Sequence, residues 1–150
     1  MKKQVSLVVA LFAMTAIGSS ASALTLKERK QYKEWQEYLV NTSSSYVKTV
    51  KDKCGYDIPV TMEDKFTTPF MAASANAASY CDEARSRISS MCEDATSKEA
   101  IKAKIKKIHC TLAPKEEASF KLAGGTLTFT FGVKASNLGD KVKDFLENNL

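Results

Sequence analysis

Four cysteines, Cys54, Cys81, Cys92 and Cys110, constrain this chain more than any other feature, because two of them share one helical stretch. Residues 68–92, TPFMAASANAASYCDEARSRISSMC, open with Thr68 as N-cap and Pro69 at the first helical position, where a missing N–H costs nothing. Met71, Ala75, Ala78, Cys81, Arg85, Ile88 and Cys92 then recur at intervals of three and four, and Arg85 alone among them is charged. One face of this central helix is therefore built for burial. Cys81 and Cys92 return to the same side of an unbroken helix about 16 Å apart along its axis. A disulfide needs Cα atoms within about 7 Å, so each must reach for another element.

The partners follow from the short turn at Asp94 and Ala95, which sets the next helix antiparallel to the central one. In such a hairpin, residues equally far from the turn face each other. Cys81 and Cys110 meet that condition, and Cys54–Cys92 follows by elimination. The competing connectivity, Cys54–Cys81 with Cys92–Cys110, stays open because helix ends read from sequence are uncertain by a few residues. An even number of cysteines read as bridges belongs to an oxidising compartment. There is no CxxC knuckle and the spacings are wide, so neither a zinc site nor a redox motif is expected, and no cofactor is implied.

The chain's first residues point to the same compartment. Residues 1–23 carry Lys2 and Lys3, an apolar run from Val5 to Ile17 and the small-residue pattern Ala21-Ser22-Ala23, the parts of a secretory signal peptide cleaved before Leu24. The run is too short for a membrane anchor, and no cysteine lies at the cleavage point to take a lipid. The expectation is a secreted or periplasmic protein whose residues 24–150 form one domain, with no stable membrane insertion after cleavage. Loss of Lys2 and Lys3 lowers the formal net charge from +5 to +3. That surplus suits an acidic partner or an anionic envelope surface and falls short of a nucleic-acid footprint.

Ahead of the central helix, Thr25-Leu26-Lys27-Glu28 is a capping box. Tyr32, Trp35, Leu39, Thr42, Tyr46, Val50 and Cys54 lie on one stripe behind it, and Gly55 supplies the stop. This first helix has a weak point at Ser43-Ser44-Ser45, where a kink or a split is expected. Its aromatic stripe reads as core rather than as a ligand platform. Residues 56–67 contain Pro59 and no helical period, an extended connection that suits an edge strand.

After the central helix, Thr96-Ser97-Lys98-Glu99 repeats the capping-box pattern and opens a shorter helix that turns Ile101, Ile105 and Ile108 inward. Lys98, Lys102 and Lys106 run along its flank as a candidate basic surface, against the plainer reading of a solvated face whose lysine stems cover apolar area. Ile108, Cys110 and Leu112 alternate as in a strand. Beyond the charged link at Lys115-Glu116-Glu117, Phe120 to Phe131 read as a hairpin with Gly124-Gly125 as a two-residue turn. That turn sets Ala123 opposite Thr126, Leu122 opposite Leu127 and Phe120 opposite Phe129, with residues 108–112 covering an outer edge. Leu138, Val142, Phe145 and Leu146 form a short closing helix.

The fold class is therefore α+β: two long helices and a shorter one packed with a small antiparallel sheet and a C-terminal helix, held by two disulfides. No nucleophile elbow, phosphate loop, dinucleotide fingerprint or zinc-protease helix is present, so no catalytic residues are assigned. His109, the only histidine, adjoins Cys110, but neighbours on an extended segment point to opposite faces, and a bridged thiol is no nucleophile. The carboxylate pairs Asp82-Glu83, Glu93-Asp94 and Glu116-Glu117 read as solvent-facing or turn residues. The expected function is a non-catalytic binding or interaction protein of the cell envelope. The alternatives are an envelope-polymer hydrolase with two distant carboxylates in a cleft, and a carrier of a small apolar ligand.

Overall fold

The computed structural model describes residues 23–41, 45–114 and 117–150. The signal-peptide reading, most of the serine run and Lys115-Glu116 of the charged link thus lie outside the described residues. The capping box forms: Thr25 Oγ1 accepts the Glu28 N–H at 3.2 Å and the Glu28 carboxylate accepts the Thr25 N–H at 2.8 Å, opening α1 (Leu26–Val40). Glu28 also accepts the Thr68 hydroxyl at 2.7 Å, which ties the start of α1 to a segment forty residues later. The first helical run is split, as its weak point allows: Asn41 turns extended and α2 (Ser45–Cys54) is a separate helix, stopped by Gly55 at φ 79°.

The central stretch is not one helix, which corrects the sequence expectation. It breaks into α3 (Thr67–Ala72) and α4 (Ala77–Met91). Ser74 sits at φ 53°, and Asn76 caps α4 by accepting the amides of Ala78 at 3.0 Å and Ser79 at 3.4 Å. The new start comes from Asn76, a strong N-cap that competes with continued helix in a run otherwise made of alanine and serine. A single 3₁₀ turn, Asp64–Phe66, feeds α3, so Thr68 is inside the first turn rather than at its cap. Cys81 and Cys92 both stay with α4, the second as its C-cap, so about three helical turns still separate them.

α5 spans Ala95–Lys104 and is capped by Asp94, whose Oδ1 accepts the Ser97 N–H at 2.7 Å; the Thr96 capping box of the sequence reading does not form. The helix ends at Ile105, in extended conformation, before the strand that carries Ile108. All three isoleucines are buried, but their helical spacing runs across a change of structure.

The sheet holds β1 (Val60–Met62), β2 (Lys107–Leu112), β3 (Ser119–Ala123) and β4 (Thr126–Phe131) in the order β1-β2-β4-β3. It is mixed, not antiparallel: β1 pairs with β2 and β2 with β4 in parallel, and only the β3–β4 hairpin is antiparallel. The hairpin register matches the sequence expectation residue for residue, with Phe120 opposite Phe129, Leu122 opposite Leu127 and Ala123 opposite Thr126. The chain leaves β2, crosses to the far edge for β3, and returns so that β4 lies between them. Parallel neighbours need crossovers, and α3, α4 and α5 supply the one from β1 to β2.

Val60, Met62, Ile108, Cys110, Leu127, Phe129 and Phe131 form the inner face of the sheet and are buried beneath the helices. Phe131 anchors this layer, with ring centroids 4.7 Å from Phe66, 5.9 Å from Phe70 and 4.6 Å from Phe129. The closing helix α6 (Leu138–Asn149) packs on α4 and β3 through Leu138, Val142, Leu146 and Phe145. The disulfides join Cys54 to Cys92, Cα atoms 5.1 Å apart, and Cys81 to Cys110, 6.1 Å apart. These are the favoured pairs, with one difference in geometry. Cys110 meets Cys81 from a strand lying under α4, not from the far arm of a helix hairpin.

Candidate functional site

Alternation along the strands sends a second set of side chains to the face of the sheet opposite the helices. Residues in register across four strands form the row Thr61, His109, Thr128 and Lys121. A second row holds Thr111, Thr130 and Ser119, and a third Lys107, Thr126 and Ala123. Every residue of these rows is exposed or half-exposed, so no helix roofs this face. Thr61 Oγ1 lies 2.9 Å from His109 Nδ1, and the Thr111 and Thr130 hydroxyls are 2.6 Å apart. The strand positions of this face carry Lys107 and Lys121 and no carboxylate. Glu63 stands at its rim, where its Oε2 accepts the Leu112 N–H at 3.4 Å.

His109 thus sits on the open face while Cys110 is bonded beneath it to Cys81, the opposed orientation expected for neighbours on a strand. The lysines of the candidate basic surface do not all lie on one helix. Lys98 and Lys102 lie a turn apart on α5, and the Lys98 ammonium passes over Gly55, whose added Cβ would stand 3.8 Å from it. Lys106 lies beyond the helix, its stem packed against Gly125 and its Nζ donating to the Lys102 carbonyl. One of the three ammonium groups is therefore occupied in closing the end of α5.

One carboxylate expected at the surface is instead deep in the core. Asp82 and Arg85, one turn apart on α4, are each only 1% exposed. Arg85 Nη2 donates to the Leu39 carbonyl at 2.8 Å, at the C-terminal end of α1, and Nε stands 3.4 Å from Asp82 Oδ1. Among the described residues, Arg85 Nε and Nη1 and both Asp82 oxygens have no hydrogen-bond partner. Burial pushes the Asp82 carboxyl above its ordinary range, and the Arg85 charge and the nearby Tyr38 hydroxyl pull it back only in part. The same burial lowers Arg85, with Asp82 and Asp57 opposing. The sequence held a signal for this pair: Arg85 interrupts an otherwise apolar stripe, and Asp82 stands at the i−3 position from it.

The clefts bear on the two alternative functions. A depression of about 500 Å³ between α4 and the start of α6 is lined by Tyr46, Tyr80, Glu83, Arg87, Gly139 and Asp140 among others. It contains two carboxylates, but both are exposed, and Asp140 is paired with Arg87 at 3.1 Å. A general acid needs a desolvated carboxyl, and this arrangement keeps both wet. The recess beside Arg85, lined by Leu39, Val47, Asp57 and Val60, measures about 70 Å³, well below the few hundred Å³ that a small-molecule pocket occupies. Among the described residues no His/Cys/Asp/Glu group is disposed to hold a metal, and no helix is long and apolar enough to cross a membrane.

Compared with known proteins, the chain matches no family model, no curated protein and no solved structure.

Proposed function

We propose that the chain is a non-catalytic binding or interaction protein of the cell envelope, acting in the periplasm or outside the cell. The observation that carries this reading is the unroofed face of the sheet, where hydroxyl, imidazole and ammonium groups stand in register across four strands. These groups recognise by hydrogen bonds and charge. The layer beneath them is fixed by the Cys81–Cys110 bridge and the Phe131 cluster, so the surface is presented by a rigid support. Export rests on the pattern of residues 1–23 and on the oxidised cysteines.

The test is site-specific photocrosslinking in intact cells, with a photoreactive residue at Thr128 on the open face or at Lys33 on the exposed side of α1. A product with an envelope protein or glycan from Thr128, absent from Lys33, supports the reading. Absence of product from Thr128, or equal products from both positions, removes it.

A further inference from the structure

The two edges of the sheet are treated differently. At β1, three residues long and preceded by Pro59, the Tyr32 hydroxyl and Gln36 Nε2 donate to the Met62 carbonyl at 2.8 and 2.9 Å, so side chains of α1 close that edge. At β3 the geometry runs the other way. Gly124 and Gly125, at φ 55° and 77°, form a two-residue turn with positive φ at both positions. In such a hairpin the residues flanking the turn exchange hydrogen bonds, and bonded and non-bonded pairs alternate from there. Ala123, Lys121 and Ser119 therefore direct their N–H and C=O groups to β4, and Phe120 and Leu122 direct theirs away from the sheet. Among the described residues, no backbone bond from elsewhere in the chain meets those outward groups.

The side chains along this edge are sorted by face. On the inner side Phe120 and Leu122 are half-buried, and Phe120 lies between Phe129 at 5.0 Å and Phe145 at 5.5 Å, so a row of rings ends at the free edge. On the outer side Lys121 is exposed between Ser119 and Ala123, two small residues that leave its ammonium accessible. An unpaired strand edge bordered by apolar surface on one side and a cation on the other is a template for a strand of matching pattern.

We infer that β3 is a docking strand for an extended acidic peptide segment of a partner protein, which adds to the sheet through the outward groups of Phe120 and Leu122. Its apolar side chains lie beside Phe120, Leu122 and Phe145, and an aspartate or glutamate lies opposite Lys121. The charge of the surface selects this occupant: the outer strand positions hold Lys107 and Lys121 without a carboxylate, and the chain from Leu24 onward keeps a positive balance. A second copy suits the edge less well. Full antiparallel overlap of two β3 strands sets Lys121 against Lys121, and like charges directly opposite are destabilising. The inference rests on the binding reading above and adds to it the edge used and the partner's chemistry.

The full chain and its Lys121→Glu variant, titrated against fluorescein-labelled heptapeptides of alternating valine and glutamate or valine and lysine, test the assignment by anisotropy. The glutamate peptide is expected to bind the wild type about tenfold more tightly than the lysine peptide, with that order reversed in Lys121→Glu. Amide hydrogen exchange at Phe120 and Leu122 is expected to slow on binding. Equal binding of the two peptides, binding of neither, or an unchanged order in the variant overturns the docking strand. So does protection of the same two amides without peptide at rising protein concentration, which identifies a second copy as the occupant. If the peptides fail while Thr128 still crosslinks, the sheet-face reading stands and only the edge assignment falls.

Discussion

Replacing Arg85 with methionine keeps most of the side-chain volume and removes the charge from the Asp82–Arg85 pair. The structure gives the terms. The Leu39 carbonyl loses its 2.8 Å bond from Arg85 Nη2, and Asp82, 1% exposed and without a hydrogen-bond partner among the described residues, loses the cation beside it. Breaking a buried pair from one side costs about 3–5 kcal/mol. The loss in Arg85→Met depends on pH in a definite direction. Burial already holds the Asp82 carboxyl above its unfolded value, and removing Arg85 raises it further. The folded variant therefore takes up a proton before the unfolded chain does, and its stability rises as pH falls from that raised value toward about 4. The gap between wild type and Arg85→Met is expected to be about 4 kcal/mol at pH 8 and to narrow toward pH 5. Asp82→Asn strands a guanidinium that cannot shed its proton and lacks the carboxyl through which wild type gains stability in acid, so its deficit, of similar size at pH 8, is expected not to narrow over the same range. The double variant Asp82→Leu/Arg85→Met loses the bond to Leu39 but strands no charge, and is expected within about 2 kcal/mol of wild type. Urea unfolding of the oxidised protein, followed by circular dichroism at several pH values, reads all three. A loss below about 1 kcal/mol in Arg85→Met, or a double variant less stable than either single variant, refutes the coupled pair.

Asp94 is held below the usual carboxylate range by the Ser97 amide and hydroxyl at the start of α5, so its stabilising effect is present above an ordinary carboxyl pKa and disappears as pH falls through its lowered value. Asp94→Ala is expected to lower the urea midpoint at pH 7, with the gap to wild type narrowing as pH falls below the ordinary carboxyl range; a deficit that stays undiminished in acid shows that the ionised cap is not the cause. The bridges Cys54–Cys92 and Cys81–Cys110 close segments of 38 and 29 residues, for which loop entropy gives about 3.5–4 kcal/mol each. The paired alanine variants are expected to lose similar stability in urea titrations, and a loss under about 1 kcal/mol for either sets that account aside. Expression with residues 1–23 intact is expected to yield an exported product that begins at Leu24, read by N-terminal sequencing; an intracellular product that retains Met1 rejects export.

The parts of the fold legible in the sequence are those governed by local chemistry. The capping box at Thr25, the stop at Gly55 and the diglycine hairpin each depend on residues within a few positions, and each forms as read. The disulfide pairing was legible because a short turn made a long-range distance estimable. The break at Ser74 is hidden for a related reason: the three-and-four spacing of Met71, Ala75 and Ala78 continues across it, and Asn76, the cap of α4, stands inside that spacing. The mixed sheet was not legible, since both parallel pairings join strands far apart in sequence and no turn chemistry announces them. Of the candidate site, His109 and the lysines could be picked out by residue type. Their grouping into rows depends on register between β1, β2 and β4, which no local pattern encodes.

Helix ends account for three of the cations that do not reach the candidate surface. The last carbonyls of a helix lack intrahelical donors and carry the negative end of its dipole. Arg85 donates to Leu39 at the end of α1, and the Lys106 ammonium to Lys102 at the end of α5. Lys104 Nζ bonds the Asn149 and Leu150 carbonyls at 3.0 and 2.7 Å, closing α6, and the Tyr56 hydroxyl serves Ile105 at 2.9 Å. A positive balance counted from composition therefore does not locate a binding surface: Arg85 is buried, and the Lys104 and Lys106 ammonium groups, though exposed, are bonded to helix carbonyls. Lys107 and Lys121 differ: they project from strands, face away from the helices and have no carboxylate among their neighbours in the rows. The acidic partner inferred above is accordingly proposed for the sheet and its β3 edge, not for the lysine-rich helix that composition singles out.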